Sequence, residues 1–158
     1  MQVPLADESS HVAFGEVLGQ VFAGLGRIYL EGELGAGKTT LTRGILRAYG
    51  YKGAVKSPTY TLIEPYELEG RRIYHLDLYR LSDPEELEFI GGRDVLDDDA
   101  LCLVEWPSRG EGWLPQADLT IHLTLASTGR LATLEGHSQR GQQWLTALAN
   151  KQYASAKT

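Results

Sequence analysis

Cysteine is all but missing from this chain. Cys102 is the only one among 158 residues, so no disulfide can form within it, and its place in an apolar run reads as a buried structural thiol of a protein kept in a reducing compartment. Long hydrophobic runs are missing too. No signal-like apolar segment follows Met1, and nothing approaches the roughly 20 apolar residues that a membrane-spanning helix needs. A soluble, cytoplasmic protein with no membrane partner is the expectation. Neither terminus carries a basic run and the formal net charge is −6, which equips the chain poorly for gripping nucleic acid by its phosphates. Any link to RNA is expected to pass through another protein. Internal repeats, low-complexity tracts and linkers are also absent, and one domain spanning residues 1–158 is expected.

Against these absences stands one dense stretch, residues 27–49, RIYLEGELGAGKTTLTRGILRAY. Gly32, Gly37, Lys38 and Thr39 satisfy the phosphate-loop pattern GxxxxGK[ST]. Residues 27–31 in front read as a short buried strand and residues 39–49 behind read as a helix, which is the context that the motif requires. Gly32, Gly35 and Gly37 let the backbone take positive φ and turn its N–H groups inward, where the positive end of the following helix helps them hold a polyphosphate. Lys38 supplies a mobile charge for the β and γ phosphates. The Thr39 hydroxyl, in the first helical turn, is placed to ligate Mg²⁺, and Thr40 can reach the α phosphate.

The rest of the chain supplies candidates of lesser weight. Residues 12–22 carry apolar side chains at helical spacing, with Asp7 or Ser9 as cap and Gly24 as stop. Glu8, beside that cap, either lies near a bound base or is simply solvated. Ser57-Pro58-Thr59 is a proline-fixed turn with two hydroxyls, in the place where many nucleotide hydrolases keep a loop that senses the γ phosphate. Residues 61–67 and 71–79 read as a hairpin around Glu69-Gly70. In its second strand Ile73, His75 and Asp77 share one face and Tyr74, Leu76 and Leu78 the other. Asp77 stands near a strand end, where ligands of α/β folds gather; the plain alternative is local capping. His75 reads as a packed, hydrogen-bonded residue rather than a base.

Residues 82–86 are a helix start whose helix breaks at Gly91-Gly92. The acidic run at Asp97, Asp98 and Asp99 lacks the spacing of a calcium loop. Residues 100–104, ALCLV, form an uninterrupted apolar strand that delivers Glu105 at its tip, followed by Trp106 and Pro107. A phosphate-loop protein uses such an acid to hold Mg²⁺, directly or through water. Glutamate can equally orient an attacking water. Residues 119–125 and 130–135 make a second hairpin through Ser127-Thr128-Gly129, and Ser138 opens a last helix with Trp144, Leu145 and Leu148 on one side.

With GELGAGKTT, VKSPTYTL, YHLDLYRL, DPEELEF and LVEWP in that order, the chain resembles the TsaE (YjeE) family over nearly its whole length. The resemblance implies an ATPase required for the threonylcarbamoyl group on adenosine 37 of tRNAs that read codons beginning with A. It also implies partners like TsaB and TsaD, whose complex ATP hydrolysis resets. Carried across residue by residue, it assigns Leu34, Gly35, Ala36, Gly37, Lys38 and Thr39 to the phosphates and Thr39 and Glu105 to Mg²⁺. Asp77 goes to the nucleotide site, Ser57 and Thr59 to a switch-like segment, Arg130 to a nucleotide contact and Glu8 to the base. Lys38, Asp77 and Glu105 are the catalytic candidates, and no arginine stands out as a finger.

The expected fold is a three-layer α/β domain of the phosphate-loop NTPase kind, with a mixed, mostly parallel central sheet. Its expected cofactors are ATP and Mg²⁺. Two rivals remain: a small-molecule kinase, although no arginine-rich lid stands between Arg80 and Gly110, and a non-catalytic module that ATP merely glues to its partners.

Overall fold

Two strands explain the architecture, because each is apolar on both faces and must be covered on both. Residues Gly26–Glu31 and Leu101–Glu105 lie side by side and parallel at the middle of a seven-stranded sheet. A computed structural model describes residues 1–55, 62–97 and 99–151. In chain order the elements are β1 (Gln2–Leu5), α1 (Glu8–Phe22), β2 (Gly26–Glu31), α2 (Lys38–Arg47), β3 (Ile63–Leu68) and β4 (Arg71–Asp77). They continue as α3 (Glu86–Phe89), α4 (Gly92–Asp97), β5 (Leu101–Glu105), a 3₁₀ turn at Pro107–Gly110, β6 (Leu119–Leu125), β7 (Arg130–Gly136) and α5 (Gln139–Asn150).

The sheet runs β1-β7-β6-β2-β5-β4-β3. Strands β6, β2, β5 and β4 are mutually parallel, and β7 and β3 run against their neighbours. Because β1 is antiparallel to β7, it regains the common direction, so five of the seven strands point one way. The mixed, mostly parallel sheet expected of the chain is the one observed.

Side-chain alternation splits the interior into two layers. Ile28 and Leu30 of β2 and Leu101 and Leu103 of β5 face a cluster with Phe14, Leu18 and Phe22 of α1, Leu41 and Ile45 of α2, and Trp144 and Leu148 of α5. Tyr29, Cys102 and Val104 face the opposite cluster, with Leu76, Leu78, Leu87 and Leu96. Cys102 is buried, and its thiol donates to the Val95 carbonyl oxygen at 3.5 Å. Among the described residues no helix is long and apolar enough to cross a membrane.

Several details depart from the sequence reading. Of the two caps read from sequence, Asp7 is the one used: its carboxylate accepts the Ser10 N–H at 2.8 Å, so that helix α1 starts at Glu8, four residues ahead of Val12. Its end is set by Ala23 in the left-handed region, one residue before Gly24. Strand β1 is not expected from sequence; its four residues include Pro4 and become a strand only by pairing, Val3 opposite Ala132. Helix α4 is also unforeseen, since Gly91 takes φ 76° and the chain resumes helix at once.

Helices α1 and α2 cross at glycine contacts. A Cβ on Gly44 would stand 2.3 Å from the Val12 carbonyl oxygen, and one on Gly15 2.6 Å from that of Leu41. Backbone lies against backbone there. Gly44→Ala is therefore expected to lower the unfolding free energy by about 1–3 kcal/mol in urea titrations, despite alanine's better helix propensity; an unchanged midpoint would show that the helices can part freely.

Candidate functional site

The loop between β2 and α2 is shaped by its glycines. Gly32, Gly35 and Gly37 have φ of 151°, 81° and 103°, values that side chains resist. A Cβ on Gly35 would meet nothing within 4 Å, so the crest of the loop faces open space. Helix α2 begins right behind it, with Gly37 at the cap, no side-chain cap hydrogen bond and no carboxylate in its first turn. Its leading N–H groups therefore keep their positive field for an anion.

Lys38 opens that helix and is nearly buried. Its ammonium donates to the Gly32 carbonyl oxygen and stands 4.2 Å from the centre of the Trp106 ring. Burial pushes the Lys38 pKa below its ordinary value, and the carboxylates of Glu105, Asp77 and Glu33 oppose that shift in this order. Trp106 reaches its place through a left-handed backbone, φ 56°, directly after β5, a conformation that costs a bulky residue energy. Its ring packs on Tyr79 with centroids 5.0 Å apart, and the Arg109 guanidinium covers Tyr79 at 5.5 Å.

The carboxylates arrive by strand register. Leu30 of β2 pairs with Glu105 of β5, and Glu105 pairs with Asp77 of β4. Both acids thus stand at the sheet tip beside the loop, and both are buried. Asp77 Oδ1 accepts the Tyr79 N–H at 3.0 Å, and Glu105 Oε2 lies 2.6 Å from Nε2 of the fully buried His75.

Two cavities flank the phosphate loop. One, of about 450 Å³, is lined by Leu34, Gly35, Gly37, Lys38, Thr39, Thr40, Asp77, Tyr79, Arg80, Glu105 and Trp106. The other, of about 370 Å³, is lined by Leu5, Ala6, Asp7, Glu8, His11, Gly129 and Arg130, and shares Gly35, Gly37 and Thr40 with the first. Arg130 ties its hairpin to the loop by donating to the Gly35 carbonyl oxygen at 3.0 Å. Glu8 is exposed and paired with Arg43 at 2.5 Å. A further cavity, at the opposite ends of the strands, encloses Asp118 with Arg27 and Arg140 and none of the candidates.

Most sequence candidates therefore converge. Leu34, Lys38, Thr39, Asp77 and Glu105 line the first cavity, Glu8 and Arg130 the second, and Gly35, Gly37 and Thr40 both, while Ala36 is buried in the loop. Ser57 and Thr59 lie outside the described residues. Tyr79, Arg80 and His11 are additions. Arg80, exposed on the first cavity's rim, had no spacing signature; its only signal was its place three residues beyond Asp77. His11 wedges under the loop, with Cε1 2.2 Å from where a Gly37 Cβ would be.

The donor set suits a magnesium-bound triphosphate: loop N–H groups and Lys38 for the phosphates, Thr39 and Glu105 for the ion. Among the described residues no three His, Cys, Asp or Glu side chains form a metal-holding group. A hard cation here would have to complete its shell from phosphate and water, as Mg²⁺ commonly does.

A positive-φ loop joining a central strand to an uncapped helix, beside a strand-tip acid, defines a phosphate-loop α/β protein. The family model described as "Threonylcarbamoyl adenosine biosynthesis protein TsaE" matches residues 5–132, and the chain belongs to that family. The tRNA threonylcarbamoyladenosine biosynthesis protein TsaE of Haemophilus influenzae is 45% identical over 151 residues, covering 92% of this chain and 96% of its own. Its Bacillus subtilis namesake is 44% identical over 92 residues, 58% of this chain and 57% of its own. The crystal structure of Bacillus subtilis YdiB superposes with a TM-score of 0.78 at 27% identity, covering 96% of this chain and 95% of that one.

Burial first, then the Arg130 charge, lowers the His11 pKa, with Glu8 opposing. The unfolded chain accepts a proton near pH 6.5 that the folded chain refuses, so this contribution to stability is present above about pH 6.5 and lost as pH falls below it. His11→Asn is expected to flatten that part of the profile, read as the difference between wild-type and variant urea midpoints at pH 8 and pH 5.5; parallel profiles would show that His11 does not resist protonation.

Proposed function

We propose that the chain binds ATP with Mg²⁺ at the loop between β2 and α2 and hydrolyses it in the service of threonylcarbamoylation of adenosine 37 in tRNAs that read codons beginning with A. The observation that carries this reading is the convergence of Lys38, Thr39 and Glu105 on one cavity beneath an open, glycine-turned loop. Family membership supports the pathway.

On this reading the loop N–H groups and the start of α2 seat the phosphates, and Lys38 leaves the Gly32 carbonyl to neutralise the β–γ oxygens. Thr39 and Glu105 would hold the metal, Glu105 directly or through water, and the ion would neutralise charge on the phosphates. Asp77, beside Glu105, is placed to fix or orient water at the same tip. The second cavity receives the base and sugar, with Thr40, Glu8 and Arg130 on its walls. Arg80 stands where a cation can meet the terminal phosphate.

Proteins like TsaB and TsaD are the partners of this cytoplasmic ATPase, and tRNA is reached through them. They speed a slow intrinsic turnover.

Lys38→Ala is expected to weaken ATP binding, and Glu105→Ala to lower phosphate release by about 100-fold while ATP still binds, measured by a fluorescent-nucleotide titration and a phosphate assay. Phosphate appearing on an acceptor instead of in water would favour a kinase. In cells lacking the gene, threonylcarbamoyladenosine in tRNA should fall and return with the wild-type chain but not with Glu105→Ala; an unchanged nucleoside level would overturn the pathway assignment.

A further inference from the structure

We infer that His75 is a positioning residue, which ties one oxygen of Glu105 from below so that the other is presented to the metal ion accompanying the nucleotide. The inference rests on the proposed metal-side reading of Glu105. His75 sits on β4 two residues before Asp77, on the same face, and opposite Leu103 rather than Glu105. It therefore reaches diagonally across to β5, with Nε2 2.6 Å from Glu105 Oε2.

Both partners are buried, so water does not compete for this bond. A carboxylate can only accept, which makes Nε2 the protonated nitrogen of the ring. The other nitrogen, Nδ1, is buried and has no hydrogen-bond partner among the described residues. An unpartnered buried nitrogen is a cost that a leucine at this position would avoid. What histidine offers in exchange is the single bond to Glu105.

That bond has a geometric consequence. Glu105 lines the cavity beside Lys38 and Thr39, yet Oε2 is committed to His75, which leaves Oε1 for the cavity. The bond takes up one lone pair of Oε2 and fixes the carboxylate's tilt, which favours service to a metal through Oε1, directly or through a water. One-oxygen service fits the near-octahedral, water-rich shell of Mg²⁺. Hydrogen-bonded second partners of this kind commonly hold ligating carboxylates in place.

The test uses the full chain bound to a non-hydrolysable ATP analogue. Mn²⁺ affinity is read by electron paramagnetic resonance, and analogue affinity is measured separately in EDTA. His75→Leu is expected to weaken Mn²⁺ about 10-fold while metal-free analogue binding stays near wild type, and His75→Gln, whose amide can reach the place of Nε2, should restore most of the loss. Unchanged Mn²⁺ affinity in His75→Leu, with a clear loss in Glu105→Ala, would overturn the role of His75 alone. Unchanged affinity in Glu105→Ala would overturn the metal reading of Glu105 and this inference with it. Wild-type protein gives an independent reading should the leucine variant not fold. Nitrogen NMR should show Nε2 of His75 protonated and Nδ1 bare, with the Nε2–H signal moving when Mg²⁺ joins the nucleotide complex. The opposite tautomer, or a signal indifferent to Mg²⁺, would overturn the inference.

Discussion

The parallel pairing of β2 with β5 is the constraint on which the site depends. It aligns Leu30, the last residue but one of its strand, with Glu105 at the tip of the other, and β4 then brings Asp77 alongside. A slip of one residue would turn Glu105 to the opposite face of the sheet. Apolar burial on both faces guards against that slip. Leu101 and Leu103 belong to one core cluster and Cys102 and Val104 to the other, so a slip would exchange the residues packed against each side.

Charge at the sheet tip follows from that register. Lys38, Asp77, Glu105 and His75 are all buried within a few residues of solvent, and burial alone disfavours the Lys38 ammonium. The carboxylates of Glu105, Asp77 and Glu33 and the face of Trp106 oppose that. The lysine is parked, hydrogen-bonded to its own loop at Gly32. The left-handed backbone at Trp106 belongs to the same economy, since it swings the indole over the ammonium instead of into the core.

Long, strongly patterned features were readable in advance. The strand-loop-helix of residues 26–47, both hairpins and the apolar strand ending in Glu105 stand where spacing puts them. Short features were not. Strand β1 has no pattern of its own and forms because β7 offers an unpaired edge, and α4 follows a glycine turn that reads equally well as a break. Among site residues, the phosphate loop and Glu105 carry signatures of motif and run length. Arg80 and His11 carry none, because what matters about them is which cavity they line.

The chain's letters alone settle which chemistry is available: three glycines for positive φ, a lysine and a threonine behind them, and an acid delivered by a buried strand, all local patterns with local physical causes. They also settle that the sheet is mostly parallel, since continuous apolar strands require cover on both faces. Folding in three dimensions chose the neighbours. Whether Glu105 meets Lys38, whether His75 binds Glu105, and whether Arg130 closes on Gly35 depend on strand order and register across residues up to 95 positions apart. Contacts at that range come from packing the whole sheet between its two helical layers, and no window of sequence contains them.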